Sequence, residues 1–534
     1  MKQIYAYLIA GITCTSCSDF LDTEPYDSLS PSITWQSEDD AQSFLVGCYD
    51  GWADANEILY LDCGSDIGYA NFQWEYWKLI GNGGMSASGD VYDMYSFDII
   101  RRCNTFLENI NNVEFEDEAK KNDMIGQVRT IRAYQYFDKN WWYGGIPIIE
   151  NYETAEEAQV PRNTEEEVKE YVYNEIDTAI TLLNDEPAER GYLAKGAALA
   201  IKMRSALYYE DYERAKEAAQ AIMDLGQYEL DADYTNPFTV AGQDSKEIIA
   251  AVQYIENLKT LYTIGQMYNN GDGGWSSIVP TQNLVDMYEM DNGLTIDEAG
   301  DYYDPEHPFA NRDPRLAMTI VFPGQDWNGR IYNTLDSEVD GSTNADYPSS
   351  ADNASKTALT WYKYLGPFSQ YSNIWATNAC PIVFRYAEVL LTYAEAENEL
   401  NGPSATVYDL LDQIRLRAGH VEIDRSKYST QATLRELIRR ERTIELAGEG
   451  LRRADILRWK DDSGKMLAET VLNGSLTRIT GTVDQNGSDP YTRATITGTD
   501  ELIETRSFKT TNRYLPIPQT AIDANPNLVQ NEGY

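Results

Sequence analysis

Apolar residues recur at helical spacing in several parts of this chain. One set is Ala387, Leu390, Leu391 and Ala394, and another is Ala215, Ala218, Ala219 and Ile222. Positions i, i+3, i+4 and i+7 lie on one face of an α-helix, so each set predicts an amphipathic helix. The sequence "NGP" at 401–403 interrupts the first pattern, and a new apolar pattern begins just after it. Two helices joined by a tight turn are therefore expected at this point.

The same reasoning predicts four helix pairs. They are 123–143 with 164–184, 195–209 with 212–225, 384–400 with 405–417, and 431–446 with 451–458. Alanine on the contact faces lets neighbouring helices approach closely, which is typical of tetratricopeptide-like repeats. The fold class expected is mostly α, a helical repeat scaffold. A generic helical bundle is the alternative interpretation.

Three less regular stretches interrupt the helical pattern. Residues 51–100, 231–380 and 460–512 are rich in glycine, polar residues and aromatics, and they predict loops with short strands. Two glycine-rich sequences, Gly81 to Gly84 and Gly271 to Gly274, are expected to form turns beside aromatic residues. Irregular segments on a rigid scaffold are where binding surfaces usually lie.

The first residues have the composition of a secretion signal. Lys2 precedes a short apolar run from Ile4 to Ile12, which is too short to cross a bilayer. Small residues then lead to Cys17. We expect residues 1–16 to be a lipoprotein signal peptide, with Cys17 as the new, lipid-bearing N-terminus. Cys14 would leave with the signal, so the Cys14–Cys17 spacing is not a redox motif. A plain cleavable signal with Cys17 as an ordinary thiol is the alternative.

Charge and rare residue types exclude several function classes. The chain has 534 residues and a net charge of −43, which disfavours nucleic acid and anionic membrane surfaces as partners. Its two histidines argue against histidine-based catalysis and zinc sites. Serine hydrolase and phosphate-loop motifs are absent from the sequence. No metal or cofactor is expected.

Besides Cys14 and Cys17 there are four cysteines, Cys48, Cys63, Cys103 and Cys380. They do not make a disulfide framework, and the sequence leaves open whether two of them form a single disulfide bond.

Acidic residues at helical spacing raise the question of catalysis. Glu441, Glu445 and Glu449 stand at i, i+4 and i+8, and a glycosidase needs two carboxylates facing each other across a sugar. Nearby arginines favour a structural ion-pair network between helices instead. The arginines expected to pair with these glutamates are Arg439, Arg440, Arg442, Arg452 and Arg453.

Aromatic residues in the irregular segments are candidates for ligand contact. Sugar rings present C–H faces to aromatic rings, while polar side chains fix the hydroxyl groups. The candidate ligand-binding residues are Tyr69, Trp74, Trp77, Trp275, Trp327, Asp66 and Asn71. Buried packing is the alternative for each tryptophan. Trp74 and Trp77 share a face if their segment is helical, so one of the two is then a candidate for the core.

Several stretches together resemble one known family. They are "CSDFLDTEP" at 17–25, "RRCNTFLENI" at 101–110, "IRAYQYFDKNWWYGGIPII" at 131–149, "RDPRLAMTI" at 312–320, "FRYAEVLLTYAEAENELNG" at 384–402, "IRLRAG" at 414–419, "ERTIELAGEGLRRADILRW" at 441–459 and "YLPIPQTAIDANPNLVQNEGY" at 514–534. In their number and order they resemble the SusD/RagB family of outer-membrane nutrient-binding lipoproteins. Trp141 and Trp142 depart from the usual pattern, and we interpret them as a packing variation.

The resemblance implies a fold and a function. It implies four tetratricopeptide-like units and a loop-rich ligand-binding region, divided into 1–16 (signal), 17–230 (N-terminal region), 231–380 (irregular ligand-binding insertion) and 381–534 (C-terminal region). It also implies a non-catalytic lipoprotein, anchored to the outer membrane and facing the exterior. Such a protein captures oligosaccharides and delivers them to a SusC-type TonB-dependent barrel. Alternatives are a surface glycoside hydrolase, uptake of another nutrient such as peptide, and a structural or adhesive surface protein.

Overall fold

A computed structural model describes residues 35–89, 94–152, 154–461 and 463–534. The expected signal peptide and Cys17 lie outside the described residues. The helices are α1 Glu38–Tyr49, α2 Ala55–Tyr60, α3 Lys78–Asn82, α4 Asp98–Asn109, α5 Glu118–Tyr143, α6 Glu165–Leu182, α7 Lys195–Tyr208, α8 Tyr212–Leu225, α9 Thr263–Met267, α10 Gln282–Met287, α11 Ile296–Ala299, α12 Arg315–Thr319, α13 Tyr386–Asn401, α14 Ala405–Arg417, α15 Gln431–Leu446, α16 Arg452–Arg458, α17 Ala468–Val471 and α18 Gln519–Ala524.

Most strands of the described residues are short, and they pair two by two in antiparallel orientation. They are β1 Gly68–Ala70, β2 Ile248–Ala251, β3 Ile278–Pro280, β4 Ile320–Val321, β5 Asp326–Trp327, β6 Arg330–Ile331, β7 Glu338–Val339, β8 Ser342–Thr343, β9 Thr360–Trp361, β10 Ile382–Arg385, β11 Gly474–Val483 and β12 Ala494–Arg506. The pairs are β1 with β3, β2 with β10, β4 with β9, β5 with β6, β7 with β8, and β11 with β12.

All four predicted helix pairs are present, and their ends follow from capping residues. Thr164 and Glu167 form a capping box at the start of α6. Asp211 caps the start of α8. Gly226, in the left-handed conformation, caps its end after Leu225. Helix α5 begins at Glu118, five residues earlier than expected, because the Asp117 side chain accepts a hydrogen bond from the Ala119 amide. The mostly α fold class is therefore confirmed.

The core runs through the helix pairs. Helix α13 packs against α7, α8, α14 and α15, and its alanine-rich face lets these neighbours approach. Trp141 and Trp142 of α5 are both buried, which agrees with their interpretation as packing residues. The fourth pair differs from the others, because α16 packs mainly against residues 61–64 and α17 rather than along α15.

A buried ion-pair network joins the helical scaffold to the 231–380 segment. Glu441 pairs with Arg315 and Arg415, and Glu445 pairs with Arg315, Arg385 and Arg417. The network contains equal numbers of carboxylates and cations: Glu247, Glu289, Asp313, Glu441, Glu445 and Glu449 with Arg315, Lys363, Arg385, Arg415, Arg417 and Arg440. Nearly all of these side chains are removed from water, so each charge depends on its partners.

The network confirms the structural interpretation of the three glutamates but corrects its details. Helix α15 ends at Leu446, so Glu449 lies in the following turn and not on the helix face. None of the five arginines expected as partners pairs with the three glutamates among the described residues. Arg440 pairs with Glu289, Arg442 with Asp455 and Glu395, Arg452 with Asp66, Arg439 with Glu436, and Arg453 donates to backbone carbonyls. Helix α15 turns Arg439, Arg440 and Arg442 away from the face that carries Glu441 and Glu445, and Arg452 and Arg453 belong to α16.

The segment at 460–512 is more regular than expected. Strands β11 and β12 form a long antiparallel hairpin of 10 and 13 residues, interrupted by register shifts. Alternating threonine and apolar residues favour such strands.

Cys48, Cys63, Cys103 and Cys380 are buried free thiols. Across the described ranges, no helix is both long and apolar enough to cross a membrane.

Removing one charge from the network should destabilise the fold strongly. Burial opposes the charge of Glu445, but Arg417, Arg385 and Arg315 hold the pKa of its carboxyl well below the usual range. Glu445→Gln removes one buried carboxylate and leaves the network with one uncompensated positive charge, so we expect a loss of about 3–5 kcal/mol in the free energy of unfolding. Chemical denaturation measures it. Glu436→Gln, on the exposed side of α15, is the matched control and should cost less than about 0.5 kcal/mol. Equal effects of the two changes would contradict this account.

Candidate ligand-binding site

Two aromatic loops meet where β1 pairs with β3. Loop A (71–77) follows β1, and loop B (269–277) precedes β3. The Asn71 amide donates to the Ser277 carbonyl at 2.9 Å, which extends the β1–β3 ladder into both loops. The pairing fixes the two loops side by side, although about 200 residues of sequence separate them.

The Glu75 side chain joins the two loops by hydrogen bonds. Its carboxylate accepts hydrogen bonds from the Ser277 hydroxyl at 2.6 Å and from the Gln266 amide of α9 at 3.3 Å. Burial raises the pKa of Glu75. Hydrogen bonds to a carboxylate held away from water are strong, so Glu75 fixes loop A against loop B and α9.

Exposed aromatic rings lie on loops A and B. Trp74 is 64% exposed and stacks on Phe72 with ring centres 4.4 Å apart. Trp275 is 40% exposed and packs against Trp375 at 4.7 Å, and the Trp375 indole donates to the Gly273 carbonyl at 3.2 Å. We call the rings of Trp74, Tyr76, Trp275 and Trp375 the aromatic surface. Large exposed aromatic rings in neighbouring loops are typical of binding surfaces.

Two glycines are required for this arrangement. A Cβ atom on Gly265 of α9 would lie 2.5 Å from the Trp375 ring, so the indole reaches the helix only because residue 265 is glycine. A Cβ atom on Gly274 would lie 2.1 Å from the Tyr268 carbonyl oxygen. The expectation that Gly271 to Gly274 form a turn beside an aromatic residue is confirmed, since Trp275 follows directly.

Three non-glycine residues with positive φ lie beside tryptophans of this region. Tyr76 has φ of 70°, Ser276 has φ of 48° and Asn328 has φ of 48°. They lie close in sequence to Trp74, Trp275 and Trp327. Residues other than glycine adopt positive φ at a cost of about 1–3 kcal/mol, and such residues cluster at functional sites.

A charged cluster borders loop B. The Asp272 carboxylate accepts hydrogen bonds from the Trp327 indole at 2.8 Å, from the Asn328 amide at 2.7 Å and from Arg330 at 2.6 Å. Arg330 also pairs with Asp346 at 2.9 Å. These bonds fix the position of loop B and hold the exposed Asn328 beside Asp272.

Five of the seven candidate residues are framework residues, which corrects the sequence expectation. They lie at most 8% exposed and therefore cannot offer a face to a ligand: Tyr69, Trp77, Trp327, Asp66 and Asn71. Trp77 stacks on Tyr60, and Asp66 forms an ion pair with Arg452. The Tyr69 hydroxyl accepts a hydrogen bond from Lys78, and the Asn71 amide donates to the Ala354 carbonyl. Trp74 and Trp275 remain as exposed candidates.

A groove of about 740 Å³ lies between the end of α1 and residues 252–259, and Tyr49, Trp52, Tyr192 and Tyr254 line it. In the described ranges, no three His, Cys, Asp or Glu side chains gather in a way that could hold a metal ion.

Comparison with known proteins decides the family. A family model described as "SusD family" matches residues 235–534, more than half of the chain. The chain belongs to the SusD family. A second model, described as "Starch-binding associating with outer membrane", matches residues 19–207 of this SusD-family chain.

Similar proteins cover almost the whole SusD-family chain. SusD-like protein P25 of Formosa agariphila is 26% identical over 503 residues, covering 86% of this chain and 90% of that protein. A SusD-like carbohydrate binding protein from Bacteroides fragilis has a crystal structure with a TM-score of 0.79 and 27% identity, covering 93% of this chain and all of that one. A second SusD-like protein from the same species has a TM-score of 0.78 and 25% identity, with 96% and 100% coverage.

Sequence reasoning missed part of the surface of this SusD-family chain. Trp375 stands alone in a polar stretch, and only the fold brings it to Trp275. Glu75 does not stand out in the sequence, because acidic residues are common throughout the chain. The strongest available signal was the aromatic density of 66–77, which did locate loop A.

Replacing exposed and buried tryptophans of one loop should separate binding from packing. Trp77 is 1% exposed and Trp74 is 64% exposed. Trp77→Ala removes a fully buried ring, so we expect a loss of about 3–5 kcal/mol in stability. Trp74→Ala should change stability by less than about 1 kcal/mol, because its ring is already in water. Thermal unfolding of both variants checks this, and a strongly destabilised Trp74→Ala would contradict the assignment of Trp74 to the surface.

Proposed function

We propose that this protein is a non-catalytic glycan-binding lipoprotein that captures oligosaccharides on the aromatic surface. The observation that carries the proposal is the pair of exposed tryptophans, Trp74 and Trp275, held on two bridged loops of a SusD-family fold. Sugar rings stack their C–H faces on such indoles, and the Gln73 amide and the side-chain carbonyl of Asn328 offer hydrogen-bonding groups to the hydroxyls.

Related proteins support a carbohydrate ligand. One solved relative is described as a carbohydrate binding protein, and a matching family model is described as starch-binding and associated with the outer membrane. We extend this to an outer-membrane location with the surface facing the exterior. A SusC-type TonB-dependent barrel then receives the captured oligosaccharide, as the family resemblance implies.

The arrangement of carboxylates favours binding over hydrolysis. Glycoside hydrolysis needs one carboxyl group free to donate a proton and a second free to act as base or nucleophile. Glu441, Glu445 and Glu449 are each held by two or more cations within the buried network. Asp272 accepts from three donors beside loop B. Chromatography of glycans after incubation tests this, and accumulation of shorter sugars would favour a hydrolase.

Truncating one exposed ring should weaken ligand binding without unfolding the protein. Isothermal titration against a panel of soluble oligosaccharides identifies a ligand for the unmodified protein. We expect Trp275→Ala to lower its affinity by roughly tenfold or more, about 1.4 kcal/mol.

The matched control is Tyr302→Ala, which removes an exposed aromatic ring outside the two loops. Its affinity should equal that of the unmodified protein. Equal losses for both variants would contradict the proposed site. Binding of peptides with silence toward every glycan would change the ligand class.

The proposed lipid anchor makes a separate prediction. Cys17 lies outside the described residues, and its lipidation is inferred from the sequence alone. Cys17→Ala should release the protein from the membrane fraction, because without Cys17 the chain lacks the acyl groups that hold it in the membrane. Immunoblotting of membrane and soluble fractions measures this. Continued retention of Cys17→Ala in membranes would contradict the anchor.

A further inference from the structure

The cationic residues beside the aromatic surface are already engaged. Arg330 is held by two carboxylates, Asp272 at 2.6 Å and Asp346 at 2.9 Å. Lys78, which follows loop A directly, donates to the Tyr69 hydroxyl at 2.6 Å and lies 3.6 Å from Glu504. Both cations are therefore already paired with groups of the protein.

Lys356 is engaged as well, although it has no acidic partner at bonding distance. Its backbone amide contacts the Asn71 side chain, which places Lys356 beside loop A. Its ammonium group donates to the carbonyls of Pro348 at 2.9 Å and Ala351 at 3.0 Å. Burial lowers the pKa of Lys356, so the environment already disfavours its charge.

Recognition of an anionic sugar needs a different arrangement. A carboxylate or sulfate group is bound through charge-assisted hydrogen bonds, above all from an arginine whose donors are free. For Arg330 to serve an anionic ligand, it must leave Asp272 or Asp346, and a partly buried carboxylate is then left without its cation. Over longer range the net charge of −43 repels a polyanion.

The acidic surroundings do not weaken the stacking of an uncharged sugar on the indole rings. Trp74 and Trp275 present their faces to solvent, and stacking of a sugar on an indole requires no charge on the sugar. Asn328 and Gln73 supply neutral hydrogen-bonding groups. The surface thus combines aromatic faces and neutral amides with cations whose ammonium or guanidinium groups are already bonded within the protein.

We infer that the aromatic surface is selective for uncharged oligosaccharides and rejects those that carry uronate or sulfate groups. This selectivity rests on the proposed glycan-binding function and concerns the same site. It narrows the ligand to neutral glycans such as glucans, mannans and galactans.

A matched pair of glycans tests the inference. Starch, xyloglucan, galactomannan and mixed-linkage glucan form the neutral panel, and polygalacturonate, alginate and chondroitin sulfate form the anionic panel. The neutral glycan that binds is then oxidised at C6, which adds carboxylates and leaves the backbone unchanged. We expect the oxidised form to bind at least tenfold more weakly in affinity electrophoresis and titration. Binding of the neutral form should change less than twofold between 50 and 500 mM NaCl.

A gain-of-function variant supplies the missing cation. Gln73 is exposed in loop A beside Trp74, and Gln73→Arg places a guanidinium there. It should raise affinity for the oxidised glycan at least fivefold, and salt should abolish the gain. Gln73→Met is the control of similar size and should show no gain.

The outcomes separate the two proposals. Strong, salt-sensitive binding of an anionic glycan to the unmodified protein overturns the selectivity and leaves the glycan-binding function intact. Binding of the neutral and oxidised forms with equal affinity also overturns the selectivity. Silence toward both panels overturns the glycan-binding function, and the selectivity falls with it.

Discussion

Carboxylates buried on and beyond helix α15 impose the main constraint on this molecule. Glu441, Glu445 and Glu449 lie almost wholly out of water, where an unpaired charge is prohibitively costly. Their partners come from distant parts of the chain, including Arg315 in the 231–380 segment and Arg385 at the end of β10. The charges can be satisfied only when the helical scaffold and the irregular segment are assembled together.

The aromatic surface is attached to the same region. Just after Glu449, Arg452 pairs with Asp66, and the backbone amides of Gly448 and Arg452 donate to Asp62. Residues 61–66 lead into β1 and then into loop A. The turn that carries Glu449 thus anchors the segment leading into loop A, and Glu75 joins loop A to loop B through its hydrogen bond with Ser277. Exposed rings gain binding energy when they are fixed before the ligand arrives, because less conformational entropy is lost on binding.

The sequence predicts features whose causes are local. Apolar spacing located all four helix pairs, and capping residues explain where the helices begin and end. The early start of α5 needed only the Asp117 cap, which apolar periodicity does not register. Long-range features are different: nothing near Glu445 indicates Arg385 or Arg417, and nothing near Trp275 indicates Trp375. Likewise, aromatic density located loop A, but only packing separates exposed Trp74 from buried Trp77, three residues away.

Placement of the ligand on loops A and B is the central claim, and a crystal structure with a bound oligosaccharide tests it most directly. The account predicts a sugar ring stacked on Trp74 or Trp275, with hydroxyl groups near Asn328 or Gln73. It also predicts that Glu75 keeps its bonds to Ser277 and Gln266. A sugar bound in the groove lined by Tyr49, Trp52 and Tyr254, with the two exposed indoles left free, would contradict it.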